Sequence, residues 1–220
     1  MMTTPHLMTA ARMAAELPRR KRPTAFSTPA ASLQDVAHLM NDGDLLPFSG
    51  RRPFSWSIRI ATASVVSHVG LVVIGDDGQP QVGEVVEGAG GRTMPLAEAV
   101  AAHPGQWYWA PALRSRFPEY DGRQAAASML RMVGSGYGYI AVLREAMWFL
   151  PILRELSYLR HVKNLDSAFN GGAVFCSTAV SLAATDGGVD PCPGRAPQWT
   201  TPQDCWQSWL WSPTKTALYP

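Results

Sequence analysis

The chain has 220 residues, 46% of them hydrophobic and 16% charged, and a formal net charge of +2. This length and composition predict one globular domain with a sizeable core. The positive charge lies in residues 1–31, which carry five Arg or Lys side chains and one Glu, so the rest of the chain is slightly acidic. A slightly acidic body argues against a specific nucleic-acid site. No apolar run approaches the ~20 residues that a transmembrane helix needs.

Residues 1–31 are predicted to form a basic N-terminal arm. A short helix ending at Pro18 is followed by four consecutive basic residues, 19–22. The basic part, residues 12–22, is either a solvated mobile arm or an electrostatic tether to nucleic acid, lipid or an assembly partner. Its charges follow the weakly apolar stretch, the reverse of a secretory signal peptide. We therefore expect a cytoplasmic location or packaging in a particle.

From Ser32 onward, apolar periodicity and turn residues predict short helices and strands. The elements predicted for the first half are a helix over 32–40, a strand over 44–48, a helix over 55–63, and a hairpin of strands 69–74 and 81–86 turning at Asp76–Gly78. Those of the second half are a helix over 96–102, a strand over 107–109, a helix over 122–132, a helical segment over 140–162 interrupted by Pro151, and a helix from Cys176 to about residue 184.

These elements predict a domain over residues 32–184, with an apolar helical insert at about 92–162. The insert contains Met147–Leu153, the most apolar stretch of the chain. This stretch either packs in the core or forms an apolar edge that contacts an acyl chain or a membrane surface. Residues 185–220 are rich in Pro and Trp and are predicted to be an irregular C-terminal tail. The arm and the tail both suit a chain that is ordered by an assembly partner.

Cys176 follows a Gly-rich segment, begins a predicted helix and is a candidate nucleophile. A thiol in the first turn of a helix is near the positive end of the macrodipole, which lowers its pKa from about 8.5. The N–H groups of the same turn can hold an oxyanion. The alternative is a buried cysteine that acts as a small hydrophobic residue.

His68 enters the apolar strand and Glu84 stands on its hairpin partner, so the two side chains should lie near one another. A carboxylate at this place can fix the tautomer of an imidazole that activates a cysteine. Glu87 ranks second for this role, and the alternative for His68 is a structural histidine. The order, His68 before Cys176, is the reverse of papain-type chains and suggests a circularly permuted site.

Several runs carry a family resemblance: Asp44-Leu-Leu-Pro-Phe48, Ser57-Ile-Arg-Ile-Ala-Thr62, Ser67-His-Val-Gly-Leu-Val-Val73, Val82-Gly-Glu-Val85, Gly136-Tyr-Gly-Tyr139 and Phe175-Cys-Ser177. Together they resemble the permuted papain-like hydrolases of the YiiX/YaeF type, in the NlpC-like superfamily, whose relatives include lecithin–retinol acyltransferase. The resemblance covers roughly residues 42–184. The chain departs from it at Thr178, where family members commonly have Glu or Asp.

The resemblance implies an α+β class and a circularly permuted papain-like (NlpC-like) fold, with a small antiparallel sheet packed against the helix that bears the cysteine. It also implies Cys176 as nucleophile, His68 as general base and then acid, and Glu84 as the orienting residue. Four further residues are candidates for substrate binding or an oxyanion site: Ser67, Tyr137, Tyr139 and Ser177.

The expected function is a cysteine-dependent hydrolase that cleaves an amide or ester bond through a thioester acyl-enzyme. A peptidoglycan peptide or an acyl-amide or lipid is the expected substrate, with no cofactor and no metal site. The alternatives are a catalytically idle or virion-associated structural component, and a phospholipid-type acyltransferase. The remaining cysteines, Cys192 and Cys205, match no zinc pattern and can pair with each other in an exported protein.

Overall fold

A computed structural model describes residues 28–61, 64–136 and 175–220, and its strands join one seven-stranded sheet. The strands are β1 (Ala30–Ser32), β2 (Leu45–Gly50), β3 (His68–Ile74), β4 (Pro80–Val86), β5 (Gly90–Pro95), β6 (Gly105–Trp109) and β7 (Thr216–Tyr219). The helices in these ranges are α1 (Leu33–Val36), α2 (Pro53–Ala61), α3 (Leu96–Ala102), α4 (Gly122–Arg131), α5 (Cys176–Asp186) and α6 (Pro202–Gln207). No helix in the described ranges is long and apolar enough to cross a bilayer.

The sheet is larger than the small antiparallel sheet expected from the sequence. Its strand order is β1-β7-β6-β2-β3-β4-β5, and every pair is antiparallel except β1 with β7, which is parallel. The predicted hairpin forms β3 and β4 around a turn at Gly78, whose φ of +75° suits a glycine. Strand β6 contains the strand predicted over 107–109, whereas β1, β5 and β7 were not predicted.

Buried apolar side chains form one cluster on each face of the sheet. Alternation along β3 directs Val69 and Leu71 to the cluster that contains α5, and Val72 to the cluster that contains Trp107. Helix α5 therefore packs on the sheet through the face opposite to Val72. The structure is a mixed α+β domain, as predicted, and the cysteine-bearing helix lies against the sheet.

The C-terminal residues 185–220 belong to the fold instead of forming an irregular tail. Strand β7 pairs with β6, and α6 begins with a capping box formed by Thr201 and Asp204. Trp211 is fully buried and donates its indole Nε1–H to the carbonyl oxygen of Gly43 over 3.0 Å. Of the Trp residues that made this segment unusual in the sequence, Trp211 supplies a large apolar surface to the core.

The structure describes only part of two other regions expected from the sequence, the insert and the N-terminal arm. Residues 92–136 of the expected insert contain strand β6 and helices α3 and α4, so this part is not simply helical. Residues 137–162 of the insert, with Met147–Leu153, lie outside the described residues. In the N-terminal arm, residues 1–27 also lie outside them, and residues 30–32 form β1.

Asp44 connects the start of β2 to the loop that follows β6. Its carboxylate is fully buried and accepts hydrogen bonds from Trp109 Nε1 (3.0 Å), the Ala112 N–H (3.0 Å) and Arg114 Nη1 (2.9 Å). The Asn41 N–H donates a further bond over 3.1 Å. A buried carboxylate is tolerated only when its oxygens are paired in this way.

Replacing Asp44 by Ala should lower the free energy of unfolding by about 3–5 kcal/mol, because the substitution leaves buried N–H donors without an acceptor and removes the carboxylate partner of Arg114. Urea denaturation measures this difference. The control is Asp76→Ala in the exposed β3–β4 turn, which should change the value by no more than about 0.5 kcal/mol. Equal effects of the two substitutions would contradict a structural role for the Asp44 network.

Candidate active site

Strands β3 and β4 bring His68 and Glu84 together. The register pairs Leu71 with Gly83, which places Gly70 opposite Glu84 and His68 two residues further along the same face. The His68 Nε2 atom lies 2.8 Å from Glu84 Oε2. The two side chains that the sequence placed near one another are therefore in direct contact, diagonally across the ladder.

Gly70 provides the space for this diagonal contact. A Cβ atom at this position would lie 2.7 Å from the carbonyl oxygen of Gly83 and 3.3 Å from the Cβ of Glu84. The first distance is too short for any side chain, because the obstacle is backbone that belongs to the paired strand. The glycine between His68 and Leu71 is thus required by the close approach of β4.

Arg92 is a site residue that the sequence analysis missed. It lies on β5 directly opposite Glu84, and its Nε and Nη2 atoms donate to Glu84 Oε1 over 2.9 and 2.7 Å. Each oxygen of Glu84, a residue only 2% exposed, thus has a cationic partner. Burial raises the pKa of this carboxyl, but the contacts with His68 and Arg92 outweigh burial and lower it.

Cys176 is the first residue of α5, and its thiol is hydrogen-bonded to the His68 ring. Since Nε2 of His68 contacts Glu84, Nδ1 is the nitrogen left to face the sulfur. The backbone N–H groups of Val69 and Ser177 also point to the sulfur. Burial raises the pKa of Cys176, yet the charge and hydrogen bond of His68, with these N–H groups, lower it overall.

The imidazole of His68 has the opposite shift. Burial lowers its pKa, but the charge and hydrogen bond of Cys176, followed by those of Glu84, raise it overall. A lowered thiol pKa beside a raised imidazole pKa favours a thiolate–imidazolium pair at neutral pH. This is the protonation state that a nucleophilic cysteine requires.

Cys176, His68 and Glu84 line one cavity of about 350 Å³. Its wall includes Phe48 and Trp107, whose ring centroids are 4.7 Å apart. Aromatic rings beside a polar triad are typical of a small-molecule site.

His103 is the C-cap residue of α3 and also lines this cavity.

No protein-family model and no curated protein matches the chain. Among solved structures, the crystal structure of metalloprotein yiiX from Escherichia coli O157:H7 matches it with a TM-score of 0.53 and 16% identity. The match covers 82% of this chain and 99% of that chain. The fold is YiiX-like. At this identity the likeness shows the fold alone.

The YiiX neighbour is named a metalloprotein. Within residues 28–61, 64–136 and 175–220, no group of three or more His, Cys, Asp or Glu side chains could hold a metal ion. Among these residues, His68 interacts with Glu84 and with Cys176.

The hydroxyl groups of Ser67 and Ser177, two further candidate site residues, are engaged within the fold. Ser67 Oγ accepts the Gly50 N–H over 3.0 Å and donates to the Phe48 carbonyl oxygen over 3.3 Å, although the residue also lines the cavity. Ser177 Oγ donates to the carbonyl oxygen of Thr200. Both side chains fix the backbone around the site instead of presenting a free hydroxyl to a substrate.

The other candidates have different outcomes. Tyr137 and Tyr139 lie outside the described residues. Glu87 is exposed and lines the cavity, whereas Glu84 holds the histidine. Cys192 and Cys205 are free thiols, hydrogen-bonded to each other, and this contact together with burial raises the pKa of Cys205.

We predict that Glu84→Gln moves the pH midpoint of Cys176 alkylation upward by about one unit. Loss of the carboxylate charge lowers the pKa of His68, and a less protonated imidazole stabilises the thiolate less. The measurement is iodoacetamide alkylation as a function of pH, with Cys176 followed separately by peptide mass spectrometry. The control is Glu87→Gln, which should leave the midpoint unchanged. Equal shifts in both variants would remove Glu84 from the orienting role.

Arg92→Gln should lower the free energy of unfolding at pH 7 by about 1–3 kcal/mol, because Glu84 loses a charged hydrogen-bonding partner. The lowered pKa of Glu84 contributes stability that is fully present above its ordinary value of 4.5 and is lost as the pH falls through the lowered value. The difference between wild type and variant should therefore shrink on acidification, as measured by urea denaturation at several pH values.

The control for Arg92 is Arg131→Gln, which removes an exposed ion pair with Asp186. This change should cost no more than about 0.5 kcal/mol. A pH-independent loss of stability in Arg92→Gln would indicate a packing role for the arginine and contradict the electrostatic one.

Proposed function

We propose that this chain is a cysteine-dependent hydrolase that cleaves an amide or ester bond through a thioester acyl-enzyme. The observation that carries the proposal is the hydrogen-bonded series Cys176–His68–Glu84 along one cavity wall. The series has the three parts of a nucleophilic site: a nucleophile, a base within reach of it, and a carboxylate that orients the base.

We further propose that the scaffold is a circularly permuted papain-like fold. The histidine and its carboxylate stand on the early strands β3 and β4, and the cysteine begins the late helix α5. A cysteine at the start of a helix packed against the sheet that bears the histidine supports this assignment. The YiiX-like fold is consistent with it.

In the first half of the proposed reaction, the Cys176 thiolate attacks the carbonyl carbon of the substrate and forms a tetrahedral intermediate. Backbone N–H groups at the first turn of α5 stabilise the negative charge on its oxygen. The His68 imidazolium then donates its proton to the leaving nitrogen or oxygen. The bond to the leaving group breaks, and the acyl group remains on Cys176 as a thioester.

In the second half, neutral His68 accepts a proton from a water molecule, which attacks the thioester carbonyl. The carbon–sulfur bond breaks, the acid product leaves, and the thiolate–imidazolium pair is restored. Glu84 holds the ring in one orientation throughout and stabilises its positive charge. Arg92 keeps Glu84 ionised, so that the carboxylate remains an acceptor for the ring proton.

The cavity supports an acyl group of moderate size as the part of the substrate that binds next to Cys176. Its volume of about 350 Å³ lies at the lower end of the usual range for ligand sites. Phe48, Ile58 and Trp107 supply apolar wall, and Arg52 supplies a positive charge. A peptidoglycan peptide and an acyl-amide or lipid remain the two proposed substrate classes.

The proposal predicts that iodoacetamide alkylates Cys176 rapidly already near pH 6, and that His68→Ala slows this reaction at pH 6 by at least about tenfold. The imidazolium is the main stabilising charge beside the sulfur, so its removal returns the thiol to an ordinary or raised pKa. Rates measured between pH 4 and 9 test this. A screen of peptides and acyl amides should then yield a thioester mass adduct on Cys176.

The matched control is Cys192→Ser, since Cys192 is a partly exposed free thiol that contacts Cys205. This variant should keep the low-pH reactivity of Cys176. A thiol that reacts slowly and titrates above about pH 8 in both wild type and His68→Ala would overturn the hydrolase proposal and favour a structural role for the domain.

A further inference from the structure

Three large apolar side chains are exposed within ten residues on and just after α2. Trp56, Ile60 and Val65 are 58%, 58% and 55% exposed, and we call them the α2 patch. Trp56 and Ile60 are four residues apart, so they lie on the same face of the helix. The other exposed large apolar residues of the described ranges are separated from it in the chain: Leu39, Leu130, Val133 and Tyr219.

The α2 patch is held in place by hydrogen bonds to the rest of the domain. Arg59 Nη1 donates to Ser49 Oγ on β2 over 2.9 Å. At the end of the helix, the Ser64 N–H donates to the Arg59 carbonyl oxygen over 2.9 Å, and the Val65 N–H donates to Gln203 Oε1 over 3.2 Å. The apolar groups are therefore presented to solvent by anchored backbone.

The chain segment that carries the α2 patch contains basic residues and no acidic ones. Arg51 and Arg52 are exposed at the start of α2, and Arg59 is part of the helix. Residues 45–75 contain no Asp or Glu. Exposed Trp and Ile side chains beside arginines, with no acidic residue in the segment, are complementary to an interface that is apolar below and negatively charged above.

We propose that the α2 patch docks on the surface of an anionic phospholipid bilayer. Trp56 and Ile60 enter the headgroup region, where Trp is favoured, and Arg51 and Arg52 contact lipid phosphates. Arg52, which precedes α2, and Ser55 and Ile58 within α2 line the cavity, so docking brings the cavity close to the lipid surface. The proposal rests on exposure and charge, and it does not depend on the hydrolase chemistry.

The test is co-sedimentation of the full chain with vesicles. The protein should bind vesicles made of equal parts phosphatidylcholine and phosphatidylglycerol, bind them more weakly as salt is raised, and not bind pure phosphatidylcholine. Trp56→Ser/Ile60→Ser should lower the partition coefficient by more than about tenfold. Arg51→Gln should lower it by about fivefold. All of these side chains are exposed, and urea denaturation should show unchanged stability.

The matched control is Leu130→Ser/Val133→Ser, an equally apolar change at another exposed pair, which should leave binding unchanged. The proposal is overturned if wild type has no preference for the anionic vesicles, or if Trp56→Ser/Ile60→Ser binds as wild type does. It is also overturned if light scattering shows a dimer that only Trp56→Ser/Ile60→Ser dissociates. That result would assign the α2 patch to contact between copies of the chain. Vesicle binding requires no turnover, so its outcome is separate from that of the alkylation experiment.

Discussion

The buried carboxylate of Glu84 is the constraint on which the rest of the site depends. An ionised carboxylate that is 2% exposed would be strongly destabilising unless both oxygens were paired. Here one oxygen contacts His68 from β3 and the other contacts Arg92 from β5. The charge can be satisfied only when the three neighbouring strands keep their register. The contacts of Glu84 therefore require the same strand register that aligns β3, β4 and β5.

The charges of the site alternate in sign from Arg92 through Glu84 and His68 to Cys176. Burial opposes ionisation of the carboxylate, the imidazole and the thiol, and neighbours of opposite charge offset it: they lower the pKa of Glu84 and Cys176 and raise that of His68. Cys176 lies at the end of this series and also interacts with backbone N–H groups. The lowered pKa of the thiol is thus a property of the whole series and not of a single residue pair.

The sequence predicted those features that depend on local signals. An apolar run, a turn at Asp76–Gly78 and a returning strand specified the hairpin, and the spacing along it placed Glu84 near His68. The sequence also predicted that a helix begins at Cys176, as it does in the structure. The contact between Cys176 and His68 is a tertiary one without a local signal, and it was expected from the chemistry and order of the two residues and from the family resemblance.

Arg92 was missed because β5 follows a Gly-rich turn and shows no alternation of apolar and polar residues. Arg92 lies opposite Glu84 because the chain reverses direction at residues 87–89. The Gly-rich sequence at this place does not specify a returning strand or its register. The strand β7 is four residues long and lies in a segment dominated by Pro and Trp. Its parallel pairing with β1 joins distant parts of the chain and has no local signal.

That parallel pairing has a consequence for how the chain matures. Strand β1 is among the first described residues to leave the ribosome, and its partner β7 is among the last, so the sheet cannot be completed during most of translation. The same holds for the contact between His68 and Cys176, because His68 emerges long before Cys176. A nascent or unfolded chain therefore lacks the partners that lower the pKa of this thiol. On the proposed function, the nucleophile exists only in molecules that have finished folding.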